Sequence, residues 1–574
     1  MKILRGETVA VAPVRDSHIL RNEWRSVFAV AALLFGVTSL PYLFAYAFAP
    51  PDRVFMGMAL NVPDHAQYFS WLRSHADALL ISNRMTSEPN SAVFFNLLWW
   101  ALAGVGRMFA LDYAGVYQVL RAGGVVSFAV VAYRMIAIMI ADRRHRMFAL
   151  LLTCCTSGFG WMLVLLKYTV AQGELYFPLD VYVAEGNTFL GALGSPHFLA
   201  AAAYVWCFEL FLRALHRPDY AARRRLLFGC GLFAQFMGWQ HAYDLLIVWG
   251  VLSVFAVLRT IAERAPDSSV RAVMRHMLRS RYLQGVCIVI LISCPPAIYA
   301  LALTRLDPLW GAVLAQFGNA GVWTPPLWRL PILFGVSFLA ACAMIMRELR
   351  RGDALRSDAS TMLTSWFLAS FVLIYLPTDY QIHMLNGWQI PMSILAVRWI
   401  VEYAVPKIRA VHFVMRARFV AAAFLAVASL TNVYLFSWRI LELSRHQYDF
   451  YLSRDEVSAL HWLAVHADAD DVVLSSQSIG QYVPMLTDSR AYLAHWAQTV
   501  DFYARRESVR RFFAADATQI ERTRILLAHS VDFVFVGPAE RSLPNFDPRA
   551  TANMRAVFSQ GDVVVFAETE GPKD

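Results

Sequence analysis

The stretch Asn61-Val-Pro-Asp-His-Ala-Gln-Tyr-Phe-Ser-Trp-Leu72 follows the first long apolar run of the chain, Trp24–Phe48, and is itself too polar for hydrocarbon. Pro63 suits the first turn of a helix, and Asp64 then falls where a negative charge favours the helix dipole. Helical spacing from Asp64 onward turns Tyr68, Phe69 and Leu72 toward the membrane and Asp64, Gln67 and Trp71 toward something polar. A carboxylate held ionised at a membrane surface directly after a first transmembrane helix is a candidate general base. The bland alternative is a first-turn acid on an interfacial helix. The rest of the chain decides between the two.

Of 574 residues, 58% are hydrophobic and only 16% charged, where soluble domains average near 25% charged, so the chain is an integral membrane protein. Its net charge of +9 does not point to nucleic acid, because Lys and Arg collect in short loops between apolar runs. The seven cysteines, among them Cys154, Cys155, Cys207 and Cys230, lie in apolar segments; none falls after residue 437, so no disulfide framework is expected there. No CxxC or HExxH spacing occurs, so a metal site built on a local motif is unsupported.

Working outward, residues 1–23 are polar and mildly basic, with Lys2, Arg5, Arg15 and Arg21. Trp24–Phe48 reads as a retained helix, since its apolar core is long for a signal peptide and its leader is extended. A long polar loop occupies 49–92. Apolar runs follow at 93–111, 116–140, 147–166, 197–215, 226–258, 282–303, 330–346, 361–376, 389–405 and 419–437. The run 226–258 is broken by Gly238-Trp-Gln-His-Ala-Tyr-Asp244 and reads as a hairpin of two helices. Arginine clusters at 143–146, 213–225, 259–281 and 347–356, with the basic stretch 407–418, mark the cytoplasmic side. Full crossing by 93–111 would put Arg143–Arg146 outside. A re-entrant or interfacial 93–111 is therefore preferred, giving eleven crossings rather than twelve, a cytoplasmic N-terminus and an outer C-terminal region.

Residues 438–574 change character. Asp455–His466, Arg505–Phe513 and Thr518–His529 have helical patterns, whereas Val472–Leu474, Val531–Val536 and Asp562–Phe566 read as strands. The expected organisation is a multi-spanning domain over 1–437, carrying the loop 49–92, and a soluble extracytoplasmic α/β domain over 438–574.

Polar groups in a bilayer are costly, and here they concentrate at outer junctions. Loop 167–196 and the following junction supply Glu174, Asp180, Glu185, Asn187 and His197. The hairpin tip supplies Gln240, His241, Tyr243 and Asp244, and loop 304–329 supplies Arg305, Asp307 and Arg329. The turn 377–388 supplies Gln381 and His383. Each alone reads as a helix cap or a satisfied structural group; together they suggest a shared outward-facing cavity. That arrangement suits a lipid-linked substrate, its tail between helices and its phosphate near Arg84, Arg121, Arg329 or His383, with headgroup anchoring an equal reading for Arg121. No Gly-rich phosphate loop or nucleotide fingerprint occurs on the cytoplasmic side.

On this layout the chain resembles the GT-C superfamily of membrane glycosyltransferases. The resemblance rests on the first helix, the long outer loop with its acid in PDHAQY (63–68), the many further spans and the outer C-terminal domain. Protein O-mannosyltransferases, lipid A aminoarabinose transferases and oligosaccharyltransferase catalytic subunits share the plan. GSPHFLAAA (194–202), YLPTDYQIHMLNGWQIP (375–391), QYVPMLTDSRAYLAHWAQTVDF (481–502) and VDFVFVGPAER (531–541) look like segments of bacterial multi-spanning proteins of this type. The resemblance implies a polytopic α-helical fold with an α/β outer domain, in a bacterial inner membrane. It also implies transfer of a sugar from a polyprenyl-phosphate donor to a glycan, lipid or protein acceptor, with Asp64 as the catalytic acid. His65, Gln67, Arg84, Arg121, His197, His241, Asp244, Arg329, Gln381 and His383 are the expected substrate contacts.

There are departures. The mannosyltransferases have Asp-Glu where this chain has Asp64-His65, and the WWDYG of oligosaccharyltransferases is missing from the outer domain, where Trp99-Trp100 lies elsewhere. Asp468 and Asp470 sit in a polar turn that solvation explains better than metal binding. No cofactor is assigned, and a divalent metal is left open. A transporter or flippase of a lipid-linked glycan is the first alternative; it predicts internal repeats and midplane charges, and no repeat is evident. A polysaccharide polymerase or ligase is the second. No nucleic-acid partner is expected.

Overall fold

The apolar runs become helices in the computed structural model, which describes residues 19–263, 277, 279–411 and 417–567. Lys2, Arg5, Arg15, Arg264, Arg271, Arg275 and Arg416, which contribute to the basic pattern, lie outside the described residues. Among the described residues, six helices are long and apolar enough to cross a membrane: Arg21–Ala47, Tyr113–Met139, Arg143–Thr169, Pro196–Leu215, Asp244–Ala262 and Leu327–Arg351. Two bent pairs, Arg281–Ser293 with Pro295–Leu306 at 50° and Arg418–Ala428 with Leu430–Leu443 at 44°, raise this to eight. The first bend falls ahead of Pro295-Pro296, which bring no N–H to the helical ladder. This is a multi-pass membrane protein.

Three further helices separate that number from the eleven crossings expected. Tyr220–Gly238 has the length but carries Arg223, Arg224 and Arg225; Asp358–Leu373 has 16 residues; Gln389–Trp399 has 11 before it passes into a π turn. The hairpin expected within 226–258 is present, with its turn between Gly238 and Asp244. Leu97–Phe109, inside the ambiguous run 93–111, has 13 residues and so reaches about 20 Å, short of a hydrocarbon core of roughly 30 Å.

The chain divides into two compact units. The first comprises Met1–Leu40, Val119–Ala300 and Gly321–Trp438 and is helical. Trp366 and Trp388 are fully buried there, Trp388 edge-on to Phe334 and Phe338. Buried or half-buried ion pairs tie helix ends near the basic clusters: Glu23–Arg146, Arg134–Glu209, Arg259–Asp358 and Arg398–Glu348. Helix Leu330–Arg351 kinks at Gly335, whose φ of 61° and approach to the Ser157 carbonyl exclude a side chain.

The second unit comprises Pro41–Gln118, Leu301–Ala320 and Arg439–Asp574, so the C-terminal segment packs with two earlier pieces of the chain. Arg53–Phe55 (β1) pairs antiparallel with Tyr451–Ser453 (β2), setting Phe55 opposite Tyr451. The main sheet contains Val472–Leu474 (β3), Arg490–Ala491 (β4), Val531–Val536 (β5), Arg555–Gln560 (β6) and Val563–Ala567 (β7), in the order β4-β3-β5-β7-β6. The pairs β3–β4 and β3–β5 are parallel; β5–β7 and β6–β7 are antiparallel. Helices Arg454–His466 and Gln519–Ala528 open with complete capping boxes, Ser453 with Glu456 and Thr518 with Glu521. Val472, Leu474, Val534, Phe512 and Phe513 form the core of this segment. The region is the α/β fold expected, with β2, β4 and β6 as strands the sequence pattern did not reveal.

Candidate functional site

Asp64 lies in the first turn of the helix Val62–Asp77, as the proline and acid predict. The residue before the helix, Asn61, is left-handed at φ 47°, which turns its side chain back so that Nδ2–H donates to Asp64 Oδ2 at 2.5 Å. The second partner comes from far along the chain: His495 donates Nε2–H to Asp64 Oδ1 at 2.8 Å. His495 Nδ1 accepts the backbone N–H of Ala497 at 3.0 Å, so the ring proton resides on Nε2 and faces the carboxylate. Asp64 keeps 32% of its side-chain surface open whereas His495 keeps 3%. Of this pair, only the carboxylate is accessible for chemistry.

Burial pushes the Asp64 carboxyl up, but the His495 hydrogen bond and charge, the His65 charge and the Asn61 amide outweigh it and hold it below the ordinary carboxylate range. The two N–H donors act in that direction whether or not the imidazoles are charged. At neutral pH Asp64 is a carboxylate with a fixed orientation.

His495 sits in the turn Ala494–Val500, held by several independent bonds. Thr499 Oγ1 donates to the Met85 carbonyl at 2.6 Å and accepts the Ala494 N–H at 3.0 Å. Asn83 Nδ2–H reaches the Gln498 carbonyl at 3.0 Å, and Gln316 Nε2–H reaches the carbonyls of Ala497 and Thr499 at 3.0 and 2.7 Å. Trp496 stacks on Phe317 at 5.8 Å. Sequence reasoning missed His495. Its segment stood out, but nothing local distinguishes a histidine bonded to a residue 431 positions away.

The neighbours of Asp64 take supporting places. His65 is 1% exposed; its Nδ1 bonds the Asn61 carbonyl at 2.8 Å and its Nε2 the Tyr117 hydroxyl at 2.7 Å. Gln67 is buried. Phe69 and Leu72, expected to face lipid, are also buried in protein; Phe69 packs on Tyr113 and Tyr117, because the Tyr113–Met139 helix covers that face. Arg84 donates Nη1–H to the Ala469 carbonyl at 3.3 Å, and burial lowers its pKa.

The first unit gathers a separate group of expected residues. His241 Nδ1–H points at Asp244 Oδ2, 3.3 Å away, and the Tyr243 hydroxyl donates to His241 Nε2 at 2.8 Å. Asn386 Nδ2–H lies 3.3 Å from Asp244 Oδ2. His383 Nδ1–H donates to Glu185 at 2.5 Å, and Tyr243 stacks on the His383 ring at 4.8 Å. The His197 ring is 5.6 Å from His241, and the Gln240 amide reaches the His197 carbonyl at 3.5 Å. Gln381 is buried at the start of the short 3₁₀ turn Gln381–Leu385 that carries His383. Two acid–imidazole pairs thus share one aromatic cluster. Glu185 and Tyr243, expected at the polar junctions but not among the substrate contacts, join it together with Asn386.

The remaining arginines differ sharply. Arg121 is fully buried and donates to the Ala192 carbonyl, Ser39 and Thr38 at 3.0, 3.3 and 3.0 Å, which makes it a structural cross-link within the first unit. Arg329 instead lies between the rings of Tyr176 and Trp328, 4.5 and 4.6 Å from their centroids. It lines a cleft of about 280 Å³ with Tyr182, Trp323 and Thr324, where its Nε and the Thr324 hydroxyl are buried without a hydrogen-bond partner.

Asp64 accepts from an imidazole N–H and an amide N–H, one on each carboxylate oxygen. Among the described residues no three His, Cys, Asp or Glu side chains are placed to hold a metal ion. Asp470 is fully exposed beside Arg490, and the Asp468 N–H bonds Asp471 in the same turn.

No protein-family model matches the sequence, and no curated protein does. Solved structures do. The oligosaccharyltransferase AglB of Archaeoglobus fulgidus, in complex with an inhibitory peptide and a dolichol-phosphate, superposes with a TM-score of 0.51 at 13% identity over 94% of this chain and 74% of that one. Its apo form gives 0.53 at 13% identity over 90% and 70%. ArnT from Cupriavidus metallidurans, bound to undecaprenyl phosphate, gives 0.50 at 14% identity over 96% and 100%. With its polytopic helical body and α/β C-terminal region, the chain has the fold of the GT-C membrane glycosyltransferases.

Proposed function

We propose that the protein transfers a sugar from a polyprenyl-phosphate donor to a hydroxyl of a glycan, lipid or protein acceptor at the outer face of a bacterial inner membrane, with Asp64 as general base. The observation that carries this reading is the state of Asp64: ionised, oriented by two N–H donors, and with 32% of its side-chain surface open. In the step proposed, the acceptor hydroxyl loses its proton to Asp64 as its oxygen bonds the anomeric carbon. The bond from that carbon to the phosphate oxygen breaks, and polyprenyl phosphate departs with the electron pair. Support for a lipid-phosphate substrate comes from the shared fold, since ArnT is bound to undecaprenyl phosphate and AglB to a dolichol-phosphate.

Within the first unit, Arg329 is the strongest candidate for a phosphate, because its guanidinium is held by two rings and its buried N–H is unsatisfied. His241 and His383 remain proposed substrate contacts through their cluster, with His197, Asp244 and Gln381 around them. In the second unit, His65, Gln67 and Arg84 are assigned to shaping the surroundings of Asp64. A flippase is less well supported, because it predicts internal repeats and none is evident in the sequence.

The test is Asp64→Asn, which keeps the shape and an acceptor for His495 but removes the base. Transfer in membranes supplied with a polyprenyl-phosphate sugar is expected to fall by roughly 10²–10⁴, with insertion and folding unchanged. Transfer at the parent rate would remove Asp64 from the chemistry.

A further inference from the structure

We propose that His495 is a positioning residue for Asp64: its Nε2–H occupies one carboxylate oxygen and sets the direction of the lone pairs left for an acceptor hydroxyl. This rests on the reading of Asp64 as the base, and it names a residue in the C-terminal segment on which that base depends.

Three features carry the inference. The tautomer is set by the chain itself, because the Ala497 N–H occupies Nδ1 and leaves Nε2–H for Asp64. The ring has little freedom to turn, since His495 is 3% exposed and its turn is bonded to Asn83, Met85 and Gln316. The two donors divide the carboxylate, His495 on Oδ1 and Asn61 on Oδ2, so each oxygen keeps lone-pair capacity in a defined direction. His495 itself cannot be the base, because both ring nitrogens are engaged. Among the described residues, His495 and His65 are the titratable groups that act most strongly on Asp64, with the Tyr117 hydroxyl behind His65. A tether without chemical consequence is the competing role: the bond would then merely fasten the helix start to the turn.

Two substitutions separate these roles. Glutamine places an amide N–H near the position of Nε2 and can still serve Asp64, at the expense of the Ala497 bond. Asparagine places its oxygen near Nδ1 and can still serve Ala497, while losing Asp64. The full-length protein in nanodiscs is labelled with a carbodiimide and glycine ethyl ester across pH, and the modification of Asp64 is read by mass spectrometry; labelling follows the protonated carboxyl. His495→Asn should raise the labelling midpoint of Asp64 by about one pH unit, a tenfold change in proton affinity, while His495→Gln stays near the parent.

In transfer assays His495→Asn should lower kcat about tenfold or more, shift the acid limb of the pH profile upward by the same amount and leave the donor KM unchanged, with activity largely restored by His495→Gln. Unchanged midpoints in His495→Asn would overturn the proposal, as would a loss in His495→Gln equal to that in His495→Asn. Absence of transfer by the parent protein would sink the functional reading alone, because the labelling shift does not depend on turnover.

Discussion

Replacing Thr499 by valine tests whether the turn that presents His495 is as firmly built as its hydrogen bonds indicate. The two side chains have nearly the same shape, so the change removes a hydroxyl and little else. That hydroxyl is fully buried, donates to the Met85 carbonyl and accepts the Ala494 N–H. Met85 and Ala494 are themselves 1% and 0% exposed, so water cannot replace it without local opening. Orphaning one buried backbone group costs about 1–3 kcal/mol, and two give about 2–6 kcal/mol. The natural assay is amide hydrogen exchange of the peptide containing Ala494 in the full-length protein, because local opening stays well defined even where global unfolding of a membrane protein is irreversible. A loss of 2 kcal/mol already accelerates exchange roughly thirty-fold. Ser508→Ala is the control: its hydroxyl bonds only the Ala504 carbonyl on an exposed helix face, and exchange near Ala494 should not change. Acceleration below threefold in Thr499→Val would mean that these bonds do not hold the turn, and the argument for a fixed His495 would go with them.

Two other perturbations follow from the same geometry. Asp180, almost fully buried, accepts the Gly160 N–H at 2.9 Å, and burial raises its carboxyl from 3.8 to about 7. Because the folded state holds this proton more tightly, its contribution is most favourable below the unfolded pKa near 4 and is lost as pH rises toward 7; by linkage the change is at most about 4 kcal/mol. Asp180→Asn should flatten the decline of melting temperature between pH 5 and 8, and an identical pH dependence in the variant would exclude the role. Gly480 approaches the Leu493 carbonyl so closely that a Cβ would lie 1.9 Å from that oxygen. Gly480→Ala must therefore displace the backbone two residues before His495 and should cost about 3 kcal/mol or more. A variant that melts with the parent would show that the backbone around Leu493 yields freely.

Much of the fold is written in local pattern. Apolar runs separated by arginines specify helices and their order, and the three helices that miss the length or charge criterion for a span were still legible as helices. Pro63 and Asp64 mark a helix start because their preferences concern the first turn only. The capping boxes at Ser453 and Thr518 and the short apolar strands β3 and β5 are likewise properties of a few neighbouring residues.

Other features exist only through distant pairing. β1 and β2 have three residues each and become strands by pairing across nearly four hundred positions, while β4 has two and takes its register from β3. Phe69 has the pattern of a lipid-facing residue and is buried because Tyr113 and Tyr117 cover it. The arginines look alike in sequence, yet Arg121 is bonded on every side and Arg329 lies between two rings, a distinction that burial and neighbours alone create.

The sequence by itself placed Asp64 at the start of a helix after the first span, since helix starts and apolar spans are set by short-range chemistry. Only the tertiary structure decided what that carboxylate experiences. Its proton affinity depends on partial burial and on the N–H of His495, 431 residues away, and a hydrogen bond of 2.8 Å leaves no trace in sequence spacing.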